Sequence, residues 1–361
     1  MHGRDSWVEI DEQALRHNIR LLRETVGPKV KIYACVKIDG YGFGAGFVAR
    51  VAASEGVDAF ACGDADDADR IRAAGVQLPV LLYPGTVSAS LPALSQRGYV
   101  VCAHDPDSLQ ACLNVSGPFY LKIDCGFGRL GFPASAPRDI ITLLGERRPA
   151  NLVGVYSHFY DQHDPAAVET QGQLFQHCVD AITPWTHGNL ERNVGASRVL
   201  IGSPHWALNA VNPGGLLYGT HEHTAEKRTH TRSVLKAIKG RVIAIRHMAT
   251  GTKLGYAPDR FAADRTIAIV PYGFADGYPR LPMHGQAIVA GKKVPMVGPR
   301  NAEYTTLDVS DVVGVRLGDE VVFLGRQGDA AISLKDVCDA FGVPSVELVP
   351  RLVRNARKVY V

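Results

Sequence analysis

The amino-acid sequence predicts an α/β protein in which a (β/α)8 TIM-type barrel is followed by a mostly antiparallel β domain. Between about residues 10 and 220, eight short apolar runs alternate with amphipathic stretches, which is the pattern of a closed parallel barrel. After about residue 230, short strands follow one another with tight turns. We therefore predict a barrel domain over residues 10–230 and a C-terminal β domain over residues 231–361, completed by an N-terminal strand within residues 1–9.

The barrel strands are expected where apolar, β-rich runs are bounded by polar or glycine-rich segments. Helical patterns precede or separate them, as at Glu12–Arg23, Ala65–Ala74 and Gln171–Ile182. Strands that alternate this regularly with helices favour the closed barrel over an open doubly wound sheet. The eight predicted strands are 31–37, 59–63, 80–83, 99–102, 119–123, 152–156, 194–197 and 215–218.

The C-terminal part is predicted to consist of strands with short turns and one clear helix, Leu334–Phe341. The lead-in Trp7–Ile10 is expected to pair into this domain. The segment His221–His230 contains three histidines, and we interpret it as an exposed polar linker in preference to a metal site. The predicted strands are 242–245, 266–270, 286–289, 293–297, 306–309 and 320–324.

Composition narrows the class of protein. Hydrophobic residues make up 46% of the chain and charged residues 21%, as in ordinary soluble globular proteins. The formal net charge of +3 is too small to indicate a nucleic acid or an anionic membrane as partner, and no apolar stretch is long enough to span a membrane. The seven cysteines are scattered singly, without a Cys-x-x-Cys pair, so we expect reduced thiols in a cytoplasmic protein without a metal centre.

Lys37 is the most informative single residue. It ends the apolar run 31–37 and is followed at once by a loop with three glycines, Gly40, Gly42 and Gly44. A lysine at the end of a buried strand beside small residues is how enzymes present an amine for a Schiff base, because burial makes such an amine nucleophilic toward a carbonyl. The alternative is a lysine that merely closes a strand and points to solvent.

Further polar residues fall at the ends of later predicted strands, where barrel enzymes carry their function. Lys122 and Arg129 lie at the end of the fifth strand, His158 ends the sixth and Ser197 ends the seventh. All of them are expected to surround one mouth of the barrel together with Lys37. Taken alone, His158 is better explained as a satisfied core histidine, and only the convergence on one rim favours a site.

The turn Asn212–Gly215 adds a candidate phosphate site. With Ser197, its Gly214 and Gly215 amides would lie near the loops that commonly hold phosphate in such barrels. An Asn-Pro-Gly-Gly sequence is first of all a turn, so the motif is not specific by itself. A phosphate-binding site opposite the strand-terminal Lys37 is nevertheless the arrangement expected of a pyridoxal phosphate (PLP) site.

Several motifs in the right order make the chain similar to the alanine racemase family of fold-type III PLP enzymes, over almost its whole length. The resemblance implies a PLP-dependent amino-acid racemase that is a homodimer, whose two active sites each borrow the β domain of the partner chain. The motifs are Val36-Lys37 with Tyr41–Gly44, Lys122–Asp124 with Arg129–Gly131, Ser157–Phe159, Pro213–Gly219, Gly251–Tyr256 and Pro271–Gly277.

The resemblance also implies roles for individual residues. Lys37 would bind the cofactor and act as one acid/base, and Tyr256 from the other subunit would act on the opposite face, as inversion of a planar carbanion requires. Arg129 would hold a phenolate or the substrate carboxylate, and Lys122 would be carbamylated to hold that arginine. The remaining cofactor contacts would come from Tyr41, His158, Ser197, Asn212, Gly214, Gly215 and Arg354.

The sequence departs from the family around the expected pocket. Asn212 replaces an arginine that faces the pyridine nitrogen, and Arg354 replaces a tyrosine that touches phosphate. At the substrate end, Phe127 replaces a methionine, and Asn301 and Ala302 replace a Cys-Met pair. So many changes suggest a substrate other than alanine, or a modified reaction.

Three functions remain open at this point. The first is a racemase for alanine or for another amino acid, favoured because both bases, Lys37 and Tyr256, are present. The second is a PLP-dependent lyase, aldolase or decarboxylase on the same scaffold, prompted by Asn212. The third is a non-catalytic PLP-binding protein, against which the presence of residues 231–361 argues.

Overall fold

The computed structural model describes residues 3–220, 230–280 and 285–361. The predicted linker His221–His230 therefore lies outside the described residues, apart from its last position. The described chain begins with strand β1 (Ser6–Ile10) and helix α1 (Glu12–Val26). The carboxylate of Asp11 caps this helix by accepting a hydrogen bond from the backbone of Ala14, and the apolar face of the helix is buried.

A ring of eight parallel strands follows in the described residues, in the order β4-β3-β2-β10-β9-β8-β6-β5. The ring is closed by a parallel bridge between Leu81 and Val100, and β7 pairs with β6 beside it. The predicted barrel is thus confirmed. The strands are β2 (Lys31–Cys35), β3 (Ala59–Cys62), β4 (Val80–Leu82), β5 (Val101–Ala103), β6 (Phe119–Asp124), β7 (Phe132–Pro133), β8 (Leu152–Tyr156), β9 (Glu191–Gly195) and β10 (Ala210–Val211).

Helices connect the strands and cover the outside of the ring. Asp64, Asp105 and Asp164 cap three of them through hydrogen bonds from the first helical turn to the side-chain oxygen. The helices are α2 (Ile38–Tyr41), α3 (Ala45–Ser54), α4 (Ala65–Ala73), α5 (Leu91–Gln96), α6 (Pro106–Leu113), α7 (Pro137–Leu144), α8 (Pro165–Ile182), α9 (Ser197–Gly202) and α10 (Gly215–Tyr218).

Two predicted strands need correction. The predicted eighth strand, 215–218, is wrong, because these residues form helix α10, which ends at Gly219 with a left-handed φ of 62°. The eighth strand is the shorter Ala210–Val211, so Asn212 follows this strand instead of leading into it. The predicted seventh strand, 194–197, begins and ends earlier, and Ser197 is the first residue of α9. A four-residue apolar run does not distinguish a strand from a buried helical turn.

The C-terminal part forms two sheets, ordered β15-β14-β17-β11-β1-β19 and β12-β13-β16, with β18 paired to β17. Strand β1 pairs antiparallel with β11, as predicted for the N-terminal residues. Strands β11, β18 and β19 and helix α12 were not predicted. The elements are β11 (Leu235–Arg241), β12 (Ala244–Met248), β13 (Arg265–Val270), β14 (Gln286–Val289), β15 (Lys292–Pro295), β16 (Thr305–Asp308), β17 (Glu320–Gln327), β18 (Ala330–Ile332), β19 (Lys358–Tyr360), α11 (Leu334–Phe341) and α12 (Ser345–Arg354).

The end of the chain packs against the mouth of the barrel. The hydroxyl of Ser345, the first residue of α12, donates a 2.7 Å hydrogen bond to the carbonyl of Thr220. The ring of Tyr360 stacks on Phe47 with centroids 4.0 Å apart. No helix in the described ranges is long and apolar enough to cross a membrane, and their His, Cys, Asp and Glu side chains form no cluster of three or more that could hold a metal ion.

Candidate active site

A cavity of about 530 Å³ opens at the carboxyl ends of the barrel strands. Its wall contains several of the residues that the sequence singled out, together with others. None of the described residues on this wall is an aspartate or a glutamate, so the cavity suits an anionic ligand. The predicted residues on the wall are Lys37, Tyr41, Lys122, Arg129, His158, Ser197, Asn212, Gly214 and Gly215.

Lys37 enters the cavity at the start of an unusual left-handed turn. Its Nζ atom lies 4.7 Å from the centroid of the Tyr83 ring. The next four residues, Ile38–Tyr41, all have positive φ angles, 55° at Ile38 and 55° at Tyr41. This conformation is rare for a β-branched residue and is retained only where the surrounding structure enforces it. Strain of this kind concentrates at functional sites, which supports a role for Lys37.

A buried carboxylate holds the left-handed turn in place. The backbone N–H of Asp39 donates a 2.9 Å hydrogen bond to Asp67, and Asp39 in turn accepts one of 2.8 Å from the backbone of Ala45. The Asp67 side chain is only 1% exposed and forms an ion pair of 2.8 Å with Arg70. Burial raises the pKa of Asp67, and its two hydrogen bonds oppose that effect. Both ends of the turn, Lys37 and Tyr41, therefore stay directed at the cavity.

Ser197 is the centre of a candidate anion seat on the cavity wall. The backbone N–H groups of Gly214 and Leu216 donate to its hydroxyl oxygen at 3.0 and 3.1 Å. A Cβ atom on Gly214 would lie 2.6 Å from the hydroxyl of Tyr41, so a larger residue here would displace the Tyr41 side chain. The neighbouring Cys35 thiol and burial raise the pKa of Tyr41, which keeps its phenol protonated and able to donate to an anion.

Asn212 and Tyr83 form a polar pair on the same wall. The side-chain Nδ2 of Asn212 donates a 2.8 Å hydrogen bond to the hydroxyl of Tyr83. The other amide atom, Oδ1, is buried and has no hydrogen-bond partner in the described part of the chain. Tyr83 was not predicted as a site residue, although it directly follows strand β4 and so occupies the same strand-end position as Lys37.

Burial and neighbouring cations lower the pKa of two further side chains. The imidazole of His158 has its pKa lowered to about 4, mainly by burial and then by the charges of Lys37, Lys122 and Arg129. The Lys122 amine, 7% exposed, lies 5.1 Å from the centroid of the Tyr156 ring. Burial lowers the pKa of Lys122 as well. Near neutral pH His158 is therefore an uncharged ring.

Arg129 and Phe127 lie in the loop after strand β6. The Arg129 guanidinium stacks over the Phe127 ring, which packs beside His158 but is not itself on the cavity wall. Besides Tyr83, further wall residues were missed by the sequence analysis, among them Gln162 and Arg198. Gln162 donates to the carbonyl of Phe159 at 2.8 Å, and Arg198 follows Ser197 directly. The signal for Arg198 was its position beside Ser197 in the sequence.

Besides Phe127, four predicted site residues do not lie on the cavity wall within one chain. Tyr256 is 78% exposed, and Asn301, Ala302 and Arg354 are also exposed. Asn301 and Ala302 use their backbone carbonyls to accept hydrogen bonds from the loop at Phe274 and Ala275.

The loops of Tyr256 and Asn301 are neighbours on the C-terminal sheets. Leu254, two residues before Tyr256, packs so closely on Gly298 that an added Cβ there would lie 3.0 Å from the leucine side chain. Tyr256 and Asn301 therefore belong to the same exposed region of the C-terminal part, away from the cavity of their own chain.

Comparison with known proteins assigns the chain to a family. The model described as "Alanine racemase, N-terminal domain" matches residues 10–222, and "Alanine racemase, C-terminal domain" matches residues 235–360. The chain belongs to the alanine racemase family. Among curated members, the alanine racemase of Citrifermentans bemidjiense is 31% identical, with all of both chains covered. Alanine racemase 1 of Caldanaerobacter subterraneus subsp. tengcongensis is 29% identical, covering 99% of this chain and 95% of that protein.

Solved structures of alanine racemases have the same fold. The enzyme of Clostridium difficile 630 superposes with a TM-score of 0.89 at 22% identity, covering 100% of this chain and 97% of that chain. The alanine racemase of Bacillus anthracis, solved with bound L-Ala-P, gives a TM-score of 0.89 at 23% identity, covering 100% and 96%. The predicted family and fold are thus confirmed.

Proposed function

We propose that this alanine racemase family member is a PLP-dependent amino-acid racemase that interconverts L- and D-amino acids by a two-base mechanism. The observation that carries the proposal is that the Lys37 amine and the Ser197 anion seat lie on the wall of one cavity. The amine would bind the aldehyde of the cofactor, and the seat would bind its phosphate. Curated relatives across the whole chain are alanine racemases, which supports the reaction class.

The described residues fit PLP. Tyr41, Ser197 and the amides around Gly214 and Gly215 would hold the phosphate, and Lys37 would hold the aldehyde carbon. The uncharged His158 would pack beside the ring, and the unpartnered oxygen of Asn212 offers a polar contact. When bound, PLP supplies an electron sink for the charge that remains after loss of an α-proton. Arg354 remains a predicted phosphate contact, although its side chain is exposed in the single chain.

Two proton carriers on opposite faces are needed for racemisation. Lys37 would carry a proton on one face, and Tyr256 of the partner subunit would carry one on the other. A positioned acid/base contributes roughly 10²–10⁴ in rate. The exposure of Tyr256 within one chain is what a residue donated to another subunit requires. We therefore propose a homodimer with shared active sites.

Substrate contacts are proposed on both sides of this interface. Arg129 would bind the substrate carboxylate, with Phe127 supporting it, and Asn301 and Ala302 of the partner subunit would meet the substrate side chain. Carbamylation of Lys122 would place a negative charge beside Arg129 on a wall whose described residues include no carboxylate. Burial favours the neutral amine that this modification needs.

The remaining predictions concern organisation and location. We propose the domain division 10–230 and 231–361, with residues 1–9 joining the second domain. The matches of the two family models, which end at residue 222 and begin at residue 235, support this boundary. We also propose a cytoplasmic protein, because six of the seven cysteines are buried singly in the fold.

Proton exchange in D₂O tests the proposal directly. The PLP-loaded protein is incubated with a panel of L- and D-amino acids, and loss of the α-proton signal is followed by proton NMR. We expect exchange from both enantiomers of at least one amino acid, with D/L interconversion on a chiral assay. Lys37→Ala should abolish both the exchange of the α-proton and the D/L interconversion. A loaded protein that exchanges no amino acid would contradict the proposal.

The second candidate function is a PLP-dependent lyase, aldolase or decarboxylase. The observation that favours it is the presence of Asn212, an uncharged amide, on the cofactor-facing wall. The same NMR experiment separates the two functions, since a lyase or decarboxylase yields signals of a different product and no mirror-image amino acid.

A further inference from the structure

The amide of Asn212 makes one side-chain hydrogen bond on the cavity wall. Its backbone N–H donates a 3.1 Å hydrogen bond to the carbonyl of Gly195, which fixes the residue at the end of β10. Its side-chain Nδ2 donates to the hydroxyl of Tyr83 at 2.8 Å. The donor half of the amide is therefore engaged, and the buried acceptor half, Oδ1, has no partner among the described residues. A buried carbonyl oxygen without a partner is uncommon, and because Asn212 lines the cavity, a hydrogen-bond donor on a bound ligand would satisfy this oxygen.

We propose that Oδ1 of Asn212 accepts a hydrogen bond from a protonated ring nitrogen of bound PLP, and that Tyr83 is the positioning residue that fixes the amide in this orientation. The proposal rests on the proposed function, because it requires PLP in this cavity. PLP carries its hydrogen-bonding ring nitrogen on the side of the ring away from the aldehyde carbon that Lys37 would hold. An amide oxygen can only accept, so it stabilises the protonated nitrogen and not the neutral one.

Tyr83 is suited to this positioning role. Its ring contacts both the Lys37 amine, at 4.7 Å from the centroid, and the Tyr156 ring, at 5.5 Å between centroids. Burial raises the pKa of Tyr83 well above its usual value, so the hydroxyl remains neutral. Its hydroxyl oxygen accepts from Nδ2 of Asn212, and while this hydrogen bond is made Nδ2 is directed at Tyr83 and not at the ring.

The charges on the cavity wall would oppose a positive ring nitrogen unless an acceptor is provided. The amide oxygen supplies that acceptor without adding a negative charge, so protonation is stabilised by a single hydrogen bond. A protonated ring is the stronger electron sink. The titratable groups that share the wall are Cys35, Lys37, Tyr41, Tyr83, Lys122, Arg129, Tyr156, His158 and Arg198.

The test is the ¹⁵N NMR shift of ring-labelled PLP in the full-length holoenzyme. Asn212→Asp provides the reference shift for a protonated ring nitrogen, because a carboxylate can only accept a hydrogen bond. Asn212→Arg provides the reference shift for an unprotonated ring nitrogen, because a fixed cation opposes a second positive charge. We expect the wild-type shift to match that of Asn212→Asp at neutral pH. Tyr83→Phe should move the signal toward the Asn212→Arg reference shift, since the freed amide can present Nδ2 to the ring.

Occupancy is established first, by locating the label on Lys37 after borohydride reduction and proteolysis. A chain that holds no cofactor on Lys37 overturns the proposed function. A wild-type chain that holds the cofactor on Lys37 but gives the ¹⁵N shift of Asn212→Arg overturns only the present proposal. If the wild type has the protonated shift and Tyr83→Phe leaves it unchanged, the positioning role of Tyr83 is overturned. Visible absorbance of the same samples gives a second readout that does not depend on turnover.

Discussion

The guanidinium carbon of Arg129 lies 4.3 Å from the centroid of the Phe127 ring, so the two side chains form a cation–π pair at the cavity entrance. The other neighbour of this ring is His158, at 5.7 Å between centroids. Phe127 thus links the arginine that is proposed to bind the substrate carboxylate to the uncharged ring proposed to pack beside the cofactor. This contact restricts the orientation of the exposed Arg129 side chain, which would otherwise be free to turn in solvent.

Replacing Phe127 should therefore affect substrate binding more than chemistry. In Phe127→Ala the loss of an exposed cation–π contact should raise KM by about two- to fivefold, with kcat nearly unchanged. Phe127→Tyr keeps an aromatic face under Arg129 and is the control. Steady-state kinetics in both directions provide the measurement. An equal fall in kcat and kcat/KM would instead place Phe127 in the chemical step.

A shared active site predicts complementation between two inactive variants. Lys37→Ala and Tyr256→Phe should each be inactive as homodimers, because each lacks one of the two proton carriers. After subunit exchange in a one-to-one mixture, half of the dimers are mixed and each has one complete site, so about a quarter of wild-type activity should appear. A mixture of wild type with the double variant Lys37→Ala/Tyr256→Phe is the control for exchange, because mixed dimers of these two chains have no complete site and activity falls from a half to a quarter of wild type only when subunits exchange. Continued inactivity after proven exchange would rule out a site shared in this way.

Lys122 is expected to carry a carbamate. Burial lowers the pKa of Lys122, so more of the amine is neutral, and the neutral amine is the form that reacts with CO₂. ¹³C NMR in labelled bicarbonate should show a carbamate signal that is absent from Lys122→Arg. The signal should decline as the pH is lowered, since protonation removes the reactive amine. Equal spectra for the wild type and Lys122→Arg would mean that Lys122 stays unmodified.

The left-handed turn after Lys37 should depend on Asp67. Asp67→Ala leaves the backbone N–H of Asp39 without its acceptor, which should cost about 1–3 kcal/mol in the free energy of unfolding. Asp67→Asn keeps an acceptor oxygen and should cost less. Asp66→Ala, an exposed position on the same helix, is the matched control. Urea unfolding measures all three, and a loss no larger than that of Asp66→Ala would show that other contacts hold the turn.

The sequence predicted the barrel correctly because its apolar runs alternate with helical patterns throughout the first two thirds of the chain. It placed the eighth strand wrongly because Ala210–Val211 is only two residues long, whereas the apolar run 215–218 has the length of a strand. Helix α12 was missed because it contains Pro350, which normally ends a helix. Strand β11 was missed because Lys236 and Lys239 interrupt its apolar pattern.

At the site, the residues at strand ends could be predicted from the sequence, but the contacts that hold them in place could not. Strand ends are marked in the sequence, which is why Lys37 and His158 were found. The left-handed turn at Ile38 runs against the preference of a β-branched residue, and it is held by Asp67, which is far away in the sequence. Tyr83 had the right position but was counted only as part of an apolar run. Contacts between distant segments of this kind are not encoded in local patterns.

The depressed pKa of His158 predicts a loss of stability in mild acid. Its pKa is about 4 in the folded chain and 6.5 in a solvated histidine, so between these values the unfolded chain binds more protons. The contribution of His158 to the free energy of unfolding is therefore fully present above about pH 6.5, declines as the pH falls, and reaches its minimum near pH 4. The shift corresponds to about 3 kcal/mol.

Urea unfolding of the cofactor-free protein at pH 7.5 and pH 5 tests this, with His158→Asn compared to the exposed control His187→Asn. The wild type and His187→Asn should lose more stability on acidification than His158→Asn, because at pH 5 His158 must release its proton when the chain folds. The difference between the variants removes the contribution of carboxylates that titrate in the same range. An equal pH dependence for all three proteins would mean that His158 becomes protonated in the folded state without penalty, and its proposed place as an uncharged ring beside the cofactor would then be lost.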